Sequence, residues 1–145
     1  MKQQASEIVQ ILKQRGLRVT PQRFAVYANL RSRTDHPTVE NLLVDINAEA
    51  PTASQATVYS ALQALRDANL VREVLLEEGV VRYDANVSAH HHFRCRCCGS
   101  IEDIPWESFQ SMNLEGLRSG LLAESYEVTV NGLCDRCATT SLEQC

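Results

Sequence analysis

Apolar residues recur at helical spacing through the first half of this chain and then give way to short β-rich runs. Ser6 to Gln14 carries Ile8, Ile11 and Leu12 on one face and meets a stop at Gly16. Thr20-Pro21 is a strong helix start, because threonine caps and proline at the first helical position forfeits no needed N–H. That second helix should run to about Arg31. Pro37-Thr38 opens a third through Leu42, Leu43 and Ile46. Pro51 and Ser54 set up a fourth from Ser54 to about Asn69, whose stripe of Val58, Ala61, Leu62 and Leu65 follows i, i+3, i+4, i+7. The runs Leu70–Leu76 and Val80–Tyr83, joined by Glu77-Glu78-Gly79, read as a hairpin.

Beyond it, His91–Arg94, Ser100–Ile104 and Ser125–Val130 read as strands, and Glu107–Leu122 as an amphipathic helix with Phe109, Met112, Leu117 and Leu121. The predicted class is α+β. Residues 1–83 form a winged helix-turn-helix, with the fourth helix in the DNA groove. Residues 84–145, entered through a hinge at about 84–90, form a small α/β domain. A segment of that size builds little core alone, and a zinc clamp and a dimer partner are two remedies.

The cysteines supply the first remedy. Cys95-x-x-Cys98 and Cys134-x-x-Cys137 give four thiolates for one tetrahedral structural Zn²⁺. Arg and Lys interrupt Ile8 to Leu17, so the N-terminus is no signal peptide, and no apolar run approaches membrane-spanning length. A cytoplasmic location follows, where paired C-x-x-C motifs favour metal over disulfide. Cys97 and Cys145 fall outside the spacing.

A net charge of −4 argues at first against a nucleic-acid partner. Its distribution reverses that reading, since Lys13, Arg15, Arg18, Arg23, Arg31 and Arg33 lie between Ile8 and Thr34 with no acid among them. A local basic stripe can contact phosphates on a protein acidic overall. Around the fourth helix, Ala56, Tyr59, Ser60, Gln63 and Arg66 lie opposite or beside the apolar stripe, a mix suited to base edges and phosphates.

Six stretches in order resemble the ferric uptake regulator family: Gly16-Leu17-Arg18-Val19-Thr20-Pro21-Gln22-Arg23, His36-Pro37-Thr38, Ala56-Thr57-Val58-Tyr59, Arg82-Tyr83-Asp84, His90-His91-His92 and Cys95-x-x-Cys98-Gly99. The resemblance spans about Gly16 to Cys137. It implies a homodimer whose C-terminal domain dimerises and which binds double-stranded DNA at A·T-rich palindromic operators in a metal-dependent way. Matched residue by residue, it implies a regulatory Fe²⁺ or Mn²⁺ held by His36, Asp84, His90, His92 and Asp103. On physical grounds, His90 and His92 at i, i+2 on a strand share a face while His91 points away. A mixed N/O set also suits Fe²⁺ or Mn²⁺ better than a thiolate-seeking ion. Glu102, beside Asp103, is a neighbouring carboxylate easily confused with the ligand.

Asp84, in place of the glutamate usual in iron sensors, and the absence of histidines after His92 look most like the family's peroxide-sensing repressors. That likeness implies oxidation of His36 or His90 as the signal, with release of DNA. It also implies that Arg18 enters the minor groove and Tyr59 contacts bases, while Ser60 departs from the arginine or asparagine often found there. An iron-responsive repressor without peroxide sensing is the alternative within the family. Two competitors come from other classes. A metal-dependent enzyme could use the His/Asp centre, but no general base, phosphate loop or nucleophile triad accompanies it. A zinc-ribbon interaction module explains the cysteines and leaves the histidines without a role.

Overall fold

Helices begin in this protein where the sequence supplies caps. In the computed structural model, which describes residues 2–48 and 53–139, α1 spans Lys2–Gln14, α2 Pro21–Arg31, α3 Val39–Asn47 and α4 Gln55–Asp67. The Thr20 side chain accepts from the Arg23 N–H, and Ser54 accepts from Thr57. Thr38 and Asn41 form a reciprocal capping box. Gly16, at φ +74°, turns the chain out of α1 in a conformation that glycine adopts without a steric penalty. Pro51 and Cys145 lie outside the described residues.

The chain divides into two units, Met1–Val87 and Ser88–Cys145. In the first, β1 (Arg72–Glu77) and β2 (Val80–Asp84) pair antiparallel around Gly79 and complete the four helices with a wing. The core joins Leu12, Leu30 and Leu42 to the α4 stripe of Val58, Ala61, Leu62 and Leu65, all but excluded from solvent. Leu65→Ala is expected to cost about 2–5 kcal/mol in chemical denaturation, as a cavity in a packed core does. Leu75→Ala, at a side chain 67% exposed on β1, should leave the midpoint nearly unchanged.

The second unit is built on a three-stranded sheet in the order β4-β3-β5. Its strands are β3 (His90–Cys95), β4 (Ile101–Pro105) and β5 (Thr129–Gly132). Strand β3 runs antiparallel to β4 and parallel to β5. A short helix, α5 (Asp135–Thr139), follows.

The helix expected over Glu107–Leu122 is not formed. Trp106–Phe109 makes one 3₁₀ turn, and the rest of that stretch is irregular, with Met112, Leu117 and Leu121 exposed. An amphipathic stripe stabilises a helix only when a surface receives it. Here Trp106 and Phe109 are drawn instead onto the buried His91 ring, with centroids at 4.9 and 5.2 Å. The Asn113 side chain then accepts from the Glu115 N–H, and Gly120 sits at φ +95°, two local structures that compete with helix. The strand expected over Ser125–Val130 is shorter, since only Thr129–Gly132 pairs. No helix among the described residues is long and apolar enough to cross a membrane.

Candidate metal centres and the exposed face of α4

The end of β3, the turn after it and the start of α5 gather four sulfurs. Cys95 closes β3, and Gly99 at φ +75° bends the chain so that the Gly99 N–H reaches the Cys95 carbonyl at 3.0 Å. Cys134 precedes α5 and Cys137 lies within it. Ligand atoms of all four cysteines lie within 4.8 Å of one another. The Cys98–Cys134 sulfur separation is 3.8 Å. That is about the edge of a tetrahedron with Zn–S bonds near 2.3 Å, so the donor set fits Zn²⁺. Backbone N–H groups of Cys134 and then Cys98 push the Cys95 thiol down to about 6. The Ser100 hydroxyl and N–H lower Cys98 as well. Cys137, hydrogen-bonded first of all to Cys134, is pushed up to about 12. Two thiols favour the charged form and one resists it, as expected where crowded thiolates need a cation. Cys97 stands outside the group.

A second donor set lies toward the other end of β3. Asp103 is the direct cross-strand partner of His92, and His90 lies two residues back on the same face. The Nε2 atoms of His90 and His92 are 3.1 Å apart, and Asp103 Oδ1 is 3.3 and 3.6 Å from them. Both rings are buried. The Ser88 carbonyl, which can only accept, lies 2.7 Å from His90 Nδ1. His90 must therefore donate from Nδ1, and a neutral ring so oriented presents its lone pair on Nε2. A nitrogen lone pair and a carboxylate oxygen converging in a buried place fit a divalent cation of the N/O-preferring kind. The 3.1 Å edge matches two ligands at right angles with bonds of about 2.1 Å. Glu102 pairs with Phe93, on the opposite face of the sheet from His92 and Asp103.

His91 is a core residue. Its Nδ1 accepts from the Val128 N–H at 2.9 Å, and its ring is stacked against Trp106 and Tyr126.

In the first unit, His36 Nε2 lies 3.3 Å from Asp84 Oδ2, and both residues are buried. His36 takes φ +54°, a left-handed conformation uncommon outside glycine and usually maintained by its surroundings. Those surroundings are specific. Arg82 donates to the His36 carbonyl, and the Tyr83 N–H donates to the Pro37 carbonyl. Arg33, bonded to both oxygens of Asp35 and to Asp45, anchors the loop just before. Asp84 is oriented by the Asn86 N–H on its other oxygen at 2.9 Å.

On α4, Tyr59, Ser60, Gln63 and Arg66 are exposed, as is Arg18. Arg66 is engaged within the chain. Its guanidinium lies 2.6 Å from Glu73 on β1 and 3.7 Å from Asp67.

Sequence reasoning missed two residues here. Glu73, on the wing strand β1, has no local sequence signal that links it to Arg66 on α4. Glu127 lies with Oε1 3.0 Å from His92 Nδ1, and only the parallel pairing of β3 with β5 brings it there.

The family model for the ferric uptake regulator family matches residues 14–130. The chain is 43% identical over 108 residues to the transcriptional regulator PerR of Clostridium acetobutylicum, covering 74% of this chain and 78% of that one. It is 30% identical over 133 residues to the peroxide operon regulator of Bacillus subtilis, covering 91% and 92%. Among solved structures, the Campylobacter jejuni peroxide stress regulator superposes with a TM-score of 0.63 at 29% identity, over 89% of this chain and 98% of that one.

Proposed function

This chain belongs to the ferric uptake regulator family, and from that premise we propose that it is a metal-dependent transcriptional repressor that senses hydrogen peroxide. The observation that carries this reading is the thiolate-free donor set of His90, His92 and Asp103, in a chain whose relatives are named as peroxide regulators. The family consists of regulators rather than enzymes, so the His/Asp residues serve sensing. The protein acts in the cytoplasm, as a homodimer on double-stranded DNA at an A·T-rich palindromic operator.

One regulatory Fe²⁺ or Mn²⁺ would be held by His36, Asp84, His90, His92 and Asp103. A structural Zn²⁺ sits on Cys95, Cys98, Cys134 and Cys137. Fe²⁺ held at the regulatory site would supply the redox chemistry that breaks the peroxide O–O bond beside the ligand rings, so that one oxygen enters a ring C–H bond of His36 or His90 and the other leaves as water. The oxidised ring would no longer hold the ion, and the repressor would leave its operator. Tyr59, Ser60, Gln63 and Arg66 face the groove, and Arg18 reaches the narrow minor groove.

The test is operator binding by the zinc-loaded protein without regulatory metal, with Mn²⁺ and with Fe²⁺, each before and after peroxide. Binding is expected with either ion, and loss after peroxide with Fe²⁺ alone. Loss on metal removal with no peroxide effect would replace the reading by plain iron response, and metal-independent binding would overturn both. Tyr59→Ala is expected to weaken specific binding by about 1–3 kcal/mol and leave non-specific affinity almost unchanged. Arg18→Ala should lower affinity and flatten its salt dependence. Equal losses on all sequences for Tyr59→Ala would assign that ring a structural part.

A further inference from the structure

We propose that Glu127 is a positioning residue that fixes the orientation and tautomer of His92, so that this ring presents a lone pair rather than a proton to the regulatory ion; the inference rests on the metal-dependent reading above. A neutral imidazole carries one N–H, and the nitrogen that holds it cannot bind a metal. Glu127 Oε1 lies 3.0 Å from His92 Nδ1, on the side of the ring away from His90 and Asp103. An ionised carboxylate only accepts, so the contact is favourable when Nδ1 carries the proton and Nε2 is free to ligate.

His90 meets the same requirement by other means, through the Ser88 carbonyl at 2.7 Å. The ring between them is set the opposite way. His91 Nδ1 accepts from Val128, which places its proton on Nε2. Three consecutive histidines are thus held in alternating tautomers by three different partners.

Glu127 is well placed for this. The next residue, Val128, is tied to β3 twice: its N–H donates to His91 Nδ1, and its carbonyl accepts from the His92 N–H at 3.1 Å. The His92 side chain is wholly buried, whereas that of Glu127 is 40% exposed. The carboxylate keeps part of its hydration while acting on a ring that water cannot reach. Carboxylate–histidine–metal arrangements of this kind raise ligand basicity, and losing the outer carboxylate typically lowers metal affinity about 10–100-fold.

The experiment uses the full-length, zinc-loaded protein and its Glu127→Ala and Glu127→Gln variants. Imidazole nitrogen shifts, measured by NMR before regulatory metal is added, report the tautomer of His92. Titration with Mn²⁺ gives the dissociation constant. Glu127→Ala should shift His92 toward the Nε2–H form and weaken Mn²⁺ binding about 10–100-fold. Glu127→Gln, which keeps an acceptor oxygen at that position, should stay within a few-fold of wild type. Zinc content should be equal in all three. Unchanged Mn²⁺ affinity in Glu127→Ala, or a His92 that carries its proton on Nε2 in the wild type, would overturn the proposal. Failure of the wild type to bind Mn²⁺ would instead remove the metal-dependent reading, and the His92 tautomer would still decide what Glu127 does.

Discussion

Serine in place of Cys95 is expected to abolish zinc retention and, with it, the folded state of the Ser88–Cys145 unit. Cys95 is wholly buried at the end of β3 and is the thiol most strongly driven to its thiolate by backbone N–H groups. A serine hydroxyl cannot replace it, because it is neither soft nor ionised at neutral pH. Structural zinc contributes an apparent 10–16 kcal/mol, about the size of a whole domain's stability or more. The expected result is a zinc-free protein by elemental analysis, monomeric or aggregated on size-exclusion chromatography, with no residual operator binding. Cys97→Ser and Cys145→Ser should keep both zinc and the dimer. A stable, zinc-free dimer from Cys95→Ser would overturn the structural role. Acid should act in the same direction as the mutation. Protons compete with zinc for the four thiolates, so zinc is expected to be released, and the unit to unfold, as pH falls into the acid range.

The second large effect is chemical. With Fe²⁺ bound, stoichiometric peroxide is expected to add the mass of one oxygen atom to a peptide containing His36 or His90. Operator affinity should fall to the non-specific level, about a thousandfold or more. The Mn²⁺ form should show neither change, because that ion does not supply the reducing electron. Asp84→Glu should keep metal-dependent binding but blunt the peroxide response. Asp84 is clasped on one oxygen by the Asn86 N–H and sits 3.3 Å from His36 through the other, so one extra methylene displaces a constrained ligand. Equal loss of DNA from both metal forms, with oxidation confined to cysteines, would move the sensor to the sulfur cluster.

Much of this was legible in sequence, for identifiable physical reasons. Thr20, Thr38 and Ser54 announce helices because their hydroxyls have few better uses than an orphan N–H. The Val58, Ala61, Leu62 and Leu65 stripe predicts its own burial. His90 and His92 could be placed on one face from strand alternation alone. The failure over Glu107–Leu122 has an equally clear source: periodicity states what a segment would bury, whereas the receiving surface is decided elsewhere in the chain. Glu127 and Glu73 escaped notice because each acts on a residue reached only through strand pairing or the packing of a wing against a helix. No local pattern encodes such a partner.

The aromatic packing around His91 also gives the protein an optical property. Trp106 is the chain's single tryptophan, stacked on His91 at 4.9 Å and tilted against Tyr126 at 4.7 Å. Indole emission from this molecule therefore arises at one point, on the reverse side of the strand that carries His90 and His92. A fluorimeter follows that strand without any label.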